Sequence, residues 1–489
     1  MAIRNITLAD EQFKTAFVDG KFVIDCIEIK LTQNGADAPA TYSSPGYLLT
    51  GPEIGAECRL VCLRKEGETL DIFGSLKRVA DLRSGRIIPD TYYYMLEACD
   101  VAGNTWTHPA ASIVFQEHAD SITLNVSCDY LRCSLPGPSG QTWTDMVVLE
   151  ELEFPMNVVN EKRLFVRGKE SSMMFETASA GTADTLSIIY DARKGSPAEP
   201  RFSELYAAGD ATAPKAFEER LLEAVRFATA TMFWPVITET VQDGARTLEL
   251  SKARPAPGGK MINPPLNPRG SDRDFYALVS SYYKHACATA TGNDVSPISA
   301  KLGGLYTLKS VWIDTVALVV SVAIESLVKG EKFKDLGSVD PELKRQMEIM
   351  KAAIDESTAD KSFRGRGLGL IGRMGEVGIK EKLTALANCG ALASTDPETW
   401  RKLRNSAAHG SLRIDPAKMQ EMLDNVFKSV TMVYKLVFME IGYAGKYTDF
   451  SQHGWPRESF NAEACWNATK PTPAAASQET PSPSPDGQG

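Results

Sequence analysis

The spacing of apolar and polar positions changes character near residue 200. Before it, apolar residues recur at period two. Ile27-Glu28-Ile29-Lys30-Leu31 alternates apolar and charged side chains, as a strand with one buried face does. Cys58 to Leu63, Ser112 to Phe115, Ile122 to Val126 and Leu186 to Tyr190 read as further short strands. Ser44-Pro45-Gly46 and Leu135-Pro136-Gly137-Pro138 supply turns between them. Many short strands at modest spacing predict a sandwich-like or jelly-roll-like β domain over residues 1–210.

Beyond it, the period is helical. Phe217, Leu221, Leu222, Val225 and Ala228 predict a helix within Lys215 to Trp234. Residues 254–270 are rich in Pro and Gly, which sustain neither regular structure, so they are read as a linker inside a helical connector, 211–300. Helices are expected at 274–289, 306–329, 341–357, 376–389, 397–409 and 416–441. Asp396-Pro397 and Asp415-Pro416 place a capping carboxylate before a proline at the first helical position, and Gly410 supplies a stop. The expected layout is a helical domain at 301–445, an extension at 446–466, and a tail at 467–489 whose Pro, Ser, Thr, Ala and Gly predict disorder. The fold class is therefore α+β: a β-rich N-terminal domain followed by an all-α bundle.

Composition narrows the classes. Hydrophobic content of 43% and charged content of 24% are those of a globular chain, and 489 residues exceed one ordinary core. A net charge of −9 excludes a generally basic, DNA-coating protein. Locally the balance reverses, with ten Lys and Arg against four Asp and Glu from Lys361 to Arg413. Such a run is either a solvated helical face or the footprint of a polyanion. The nine cysteines lack zinc-ligand spacing; they read as buried thiols of a reducing compartment. Met1 to Phe13 lacks the pattern of a signal peptide, and the apolar run Val311 to Val328 is broken by Asp314, Ser321 and Glu325. A cytoplasmic protein with no membrane span, no metal and no cofactor is expected.

The candidate chemistry lies in Arg404-Asn405-Ser406-Ala407-Ala408-His409-Gly410. A histidine moves a proton near neutral pH, and an arginine keeps its charge; together they suit phosphate chemistry. The competing reading is a helix-terminal histidine favoured by the dipole, beside an exposed arginine. In an unbroken helix, residues five apart point about 140° from each other, so the stop at Gly410 is expected to release His409 from that constraint.

The block Trp400 to Gly410, followed by the long helix Asp415 to Gly442, resembles the signature of HEPN domains (higher eukaryotes and prokaryotes nucleotide-binding). Val316 to Leu327 resembles an early core helix of that fold. The resemblance covers roughly residues 300 to 445. A β-rich domain ahead of it resembles the ApeA-type anti-phage, abortive-infection proteins of bacteria. What this implies is a helical bundle that forms a homodimer or higher homo-oligomer, with two Arg-x4-6-His motifs making one site. It also implies metal-independent endoribonuclease activity on cellular RNA, tRNA included, released by a phage-derived trigger. Arg404, His409 and Asn405 carry over as catalytic residues. Glu325 is a further candidate, read either as a polar partner from the preceding helix or as a plain glutamate at the edge of an apolar helix. The rival is a non-catalytic RNA-binding or dimerisation domain of the same type.

Other features carry less. Gly367-Leu368-Gly369-Leu370-Ile371-Gly372 fits a dinucleotide-binding pattern, but no βαβ unit surrounds it. With Lys361, Arg364 and Arg366 it reads as a basic loop for phosphate or as a plain connection. Arg401, Lys402 and Arg413 are further RNA-contact candidates. His108 and His118 have no acidic or cysteine partner at ligand spacing. Tyr92-Tyr93-Tyr94, Trp106 and Trp143 read as core before recognition surface.

Overall fold

The computed structural model describes residues 11–63, 88–118, 121–166, 169–192, 202–209, 213–214, 216–254, 262–269, 272–292, 294–308, 311–337, 341–374, 377–408 and 419–469. The chain is α+β, β-rich in its N-terminal region and helical in its C-terminal region, and divides into two compact units, 1–310 and 311–489.

The first unit opens with helix α1 (Glu11–Val18) and the strands β1 (Phe22–Gln33), β2 (Thr41–Gly51), β3 (Gly55–Leu63), β4 (Tyr94–Asp100), β5 (Thr105–Glu117) and β6 (Ser121–Cys128). They hydrogen-bond in the order β4-β1-β2-β3-β6-β5, and β5 returns to β4. The ring is closed: a barrel rather than the expected sandwich. Strand β5 makes the closure, since Thr105 to Ala111 pair with β4 while Ser112 to Glu117 pair with β6. A period-two pattern records only that one face is buried, which holds for both architectures. Inside lie Leu31, Leu60, Leu96, Leu124 and the thiols of Cys26, Cys58 and Cys128. Burial pushes the Cys26 and Cys58 thiols up to about 12. None of the nine cysteines forms a disulfide.

The alternation at Ile27 to Leu31 departs from expectation. The register of β1 shifts between Cys26 and Ile29, so Cys26 and Ile29 face inward while Ile27 and Glu28 both face out. Ile27 is 61% exposed. The extra residue of a bulge turns an apolar position to solvent.

From the barrel the sheet continues as β7 (Tyr130–Pro136), β8 (Thr142–Val148), β9 (Val158–Val166), β10 (Lys169–Ala183), β11 (Leu186–Ala192), β12 (Ser203–Gly209), β13 (Ile237–Gln242) and β14 (Ala245–Ser251). Their spatial order is β7-β14-β13-β8-β12-β11-β10-β9, all antiparallel. Asp243 and Gly244 both take positive φ in the two-residue turn between β13 and β14, as a tight hairpin demands. Helices α2 (Phe217–Thr229) and α3 (Asp272–Thr289) pack together, with Phe227 stacked on Tyr282 at 4.8 Å. The Tyr276 hydroxyl meets Ser179 Oγ of β10 at 2.9 Å. Helix α4 (Pro297–Tyr306) starts at Ser296, whose backbone N–H and hydroxyl donate to the buried Glu223 carboxylate. Residues 262–269 do not behave as a linker, since Ile262 and Leu266 are buried. The helical stretch 272–306, expected as a connector, belongs to the first unit.

The second unit is built on α5 (Ile313–Val328), which buries Val316, Ala317, Val320, Ile324 and Leu327. It then forms α6 (Pro341–Asp355), α7 (Lys361–Met374), α8 (Ile379–Asn388), α9 (Asp396–Ala408) and α10 (Met419–Ile441). Helix α7 occupies the segment expected as a basic loop. Asp360 caps it, accepting from the Phe363 N–H at 3.0 Å, and Ile371 is buried. Helix α10 ends at Gly442, with φ of 72°, and the Tyr443 N–H returns to the Phe438 carbonyl at 3.0 Å. Their rings lie 4.8 Å apart, the apolar contact that accompanies this cap.

The second unit is not purely helical. The strands β15 (Ala444–Thr448) and β16 (Arg457–Asn461) pair antiparallel and lead into α11 (Ala462–Thr469). Trp466 Nε1 donates to the Met439 carbonyl at 2.9 Å. The start of the expected disordered tail, Asn467 to Thr469, is therefore helical. Residues 470–489 lie outside the described residues. Among the described residues no helix is long and apolar enough to cross a membrane.

Candidate functional site

Helix α9 positions the candidate arginine. Trp400 and Leu403 are buried and seat the helix against the unit's core. Arg404 follows Trp400 by four residues, so it lies one turn further along the same side. On α5 the matching positions are Ser321 and Glu325, also four apart. Two rungs result. Trp400 Nε1 donates to the Ser321 carbonyl at 3.4 Å, and Arg404 Nε donates to Glu325 Oε1 at 2.6 Å. Ser321 itself is fully buried, its hydroxyl donating back to the Ala317 carbonyl at 2.6 Å. The first rung is buried and fixes the helix pair; the second reaches solvent. The Arg404 side chain is 33% exposed and that of Glu325 21%.

This pairing leaves work for both partners. Arg404 spends Nε on Glu325, and among the described residues its two terminal nitrogens make no further hydrogen bond. A partly exposed guanidinium held by one nitrogen keeps N–H groups of the kind that meet a phosphate bidentately. The carboxylate also sets where those groups point, because Nε is the nitrogen nearest the stem.

The structure brings Arg404 and Glu325 together; of the other candidates, those among the described residues make no hydrogen bond or ion pair with these two. Asn405 is exposed on α9, about 100° around the helix from Arg404. His409 and Arg413 lie outside the described residues. Arg401 is paired within its own helix to Glu398 at 2.5 Å, which holds the Glu398 carboxyl below its ordinary value. Lys402 is exposed. Lys361 and Arg366 are exposed on α7, whereas Arg364 turns inward to the Asp355 carbonyl at 3.2 Å.

Two groups at the base of α9 were not anticipated in these roles. Ser321 read as an interruption of an apolar run, yet its carbonyl receives Trp400. Asp396 read as a cap directed into its helix; its carboxylate instead reaches back to the Ala393 N–H at 2.8 Å, and burial raises its pKa. The second cap, Asp415-Pro416, lies outside the described residues. Beside the site, α5 presents Leu318 and Val322 to solvent at 36% and 45% exposure. They precede Glu325 by seven and three residues, so an apolar stripe runs up to the ion pair.

Among its described residues the β-rich unit shows no comparable surface constellation. Trp106 is buried with Nε1 donating to Asp100 at 3.1 Å, and Tyr94 is buried. His108 is buried edge-on to Tyr130, with ring centroids 4.4 Å apart, and burial lowers its pKa. A ring nitrogen of His118 lies 3.1 Å from Thr123 Oγ1. Among the described residues no group of three or more His, Cys, Asp or Glu side chains is arranged to hold a metal ion. The chain matches no protein-family model, no curated protein and no solved structure.

Proposed function

We propose that this chain is a metal-independent endoribonuclease of the HEPN type that works as a homodimer. The observation that carries the reading is the Arg404–Glu325 pair. It places an oriented, partly exposed guanidinium five residues before His409 in sequence. Cutting RNA without a metal needs a base for the ribose 2′-hydroxyl proton, an acid for the leaving 5′-oxygen and a cation for the charge gathering on phosphorus. Arg404 fills the third role. One histidine per motif cannot be base and acid at once, so two motifs related by a two-fold axis complete the set. The exposed stripe of Leu318 and Val322 beside Glu325 supports a partner at this face. Asn405 serves as a neutral donor to the same phosphate.

The biological setting follows from the same reading. An RNA-cutting protein has to be gated, and among its described residues the β-rich unit offers mass without a catalytic constellation. We assign it the sensing of a phage-derived trigger, with cellular RNA, tRNA included, as substrate, in the manner of ApeA-type abortive infection. The alternative is a helical domain that binds RNA or dimerises without chemistry.

Product ends separate the two. Purified wild-type protein incubated with total RNA in EDTA should leave 2′,3′-cyclic phosphates and 5′-hydroxyls, because the ribose 2′-hydroxyl is the nearest nucleophile. His409→Ala should abolish the cuts while retaining the RNA. Magnesium-dependent 5′-phosphate ends would overturn the mechanism, and RNA retained uncut by wild type would favour the alternative.

A further inference from the structure

Helix α7 carries a surface that the Arg404 site does not use. Projected at about 100° per residue, its buried side holds Ile371 with Arg364 and Gly367 alongside. Around the solvent side run, in order, Phe363 and Leu370, then Arg366, then Gly365, Gly369 and Gly372, then Lys361. Phe363 is 68% exposed and Leu370 61%. The cations contrast with those of other helices in the unit. Arg345 and Lys351 of α6, and Arg401 of α9, each pair with a glutamate three residues earlier. Among the described residues Lys361 and Arg366 have no such carboxylate.

The glycines sharpen the contrast. A methyl group at Gly365, Gly369 or Gly372 would meet nothing within 4 Å, so internal packing does not require its absence. Each glycine nonetheless lowers the tendency to stay helical about five-fold against alanine. What such a strip offers is close approach to the helix backbone.

We infer that the solvent face of helix α7 docks single-stranded RNA, with bases on Phe363 and Leu370 and the phosphate backbone along Arg366, the glycine strip and Lys361. Unneutralised cations interleaved with an exposed aromatic ring match that ligand. The ring stacks on any base, and the cations meet the regularly spaced phosphates. A duplex hides its base faces and cannot use Phe363. The inference extends the ribonuclease reading by naming a second contact for the substrate, and it is tested without relying on cleavage.

The test uses full-length His409→Ala protein, so that a failure of the nuclease reading does not obscure binding. Fluorescent 20-mers of poly(U) and poly(A), a 20-base-pair RNA duplex and phosphatidylserine vesicles are the probes. Phe363→Ala should weaken single-strand binding about 10-fold. Lys361→Ser with Arg366→Ser should flatten the dependence of log affinity on log salt by about 1.4, roughly 0.7 per lost phosphate contact. The triple change Gly365→Ala, Gly369→Ala and Gly372→Ala should raise the melting temperature yet weaken binding at least about three-fold, a pairing that a purely structural strip would not produce. Unchanged affinity in the Phe363 and glycine variants would overturn the proposal. So would equal affinity for the duplex, or vesicle binding that single-stranded RNA does not displace.

Discussion

Arg404 and Glu325 show how little stability a partly exposed ion pair contributes. At 2.6 Å, with both side chains partly in water, the pair is worth less than about 1 kcal/mol to folding. Its geometric effect is larger, because it fixes the nitrogen next to the stem and so aims the outer edge. Glu325→Gln keeps the length and one acceptor but removes the charge. The melting temperature should then change by no more than about 3 °C, while RNA cleavage falls about 10-fold or more, since small misplacements of a charge clamp are amplified in rate. Cleavage at the wild-type rate would show that Arg404 needs no orienting carboxylate. Rescue should not come from Arg404→Lys, which keeps the charge and loses the planar fork.

At the scale of elements, Asp449 ties the β15–β16 hairpin to α10. Its carboxylate accepts from Thr431 Oγ1 at 3.3 Å, from the Ser451 N–H at 3.0 Å and from Gln452 Nε2 at 2.7 Å. Burial alone would push this carboxyl up; the bonds from Ser451 and Gln452 outweigh it and hold the pKa below the ordinary value of 3.8. A folded-state pKa below the unfolded one means that Asp449 stabilises the unit above about pH 4, and that this is lost as pH falls through the lower folded value. Asp449→Asn should cost about 1–2 kcal/mol at pH 7, and the gap to wild type should narrow below about pH 4 when melting is followed across pH. A gap that stays constant with pH would assign the effect to packing. Asp449 also marks what the sequence conceals. Strongly periodic stretches such as Val316 to Leu327 and Val426 to Ile441 announce their helices, because one apolar stripe faces one core. Helix α7 hides behind four glycines, since its start rests on one aspartate cap and its seat on Ile371. The barrel hides behind β5, whose two halves serve different neighbours on a pattern that looks uniform. The sequence offers Glu325 only as a candidate polar partner, and the four-residue match between α5 and α9 is what places the Arg404–Glu325 rung.

For the whole molecule, the division at Ser310 and Val311 decides how the β-rich unit can be separated from the candidate nuclease. A cut inside the Pro/Gly-rich segment 254–270 looks natural in sequence and would be damaging in the fold. It would carry α3 away with Phe275, Leu278, Val279, Tyr282 and Tyr283, all buried in the first unit, and expose them. A chain of residues 271–489 should therefore aggregate, whereas residues 311–489 keep α5, α9 and α10 with their shared core and should melt cooperatively by circular dichroism. That second fragment then tests the gating role. If the β-rich unit restrains the nuclease, 311–489 should cut RNA and arrest growth with no trigger present, and His409→Ala should relieve the arrest. A folded fragment that leaves RNA intact would instead make the β-rich unit part of substrate capture. Trigger-dependent cutting by 311–489 would remove the β-rich unit from control altogether, because a trigger can shift an equilibrium only by binding one of its states better than the other.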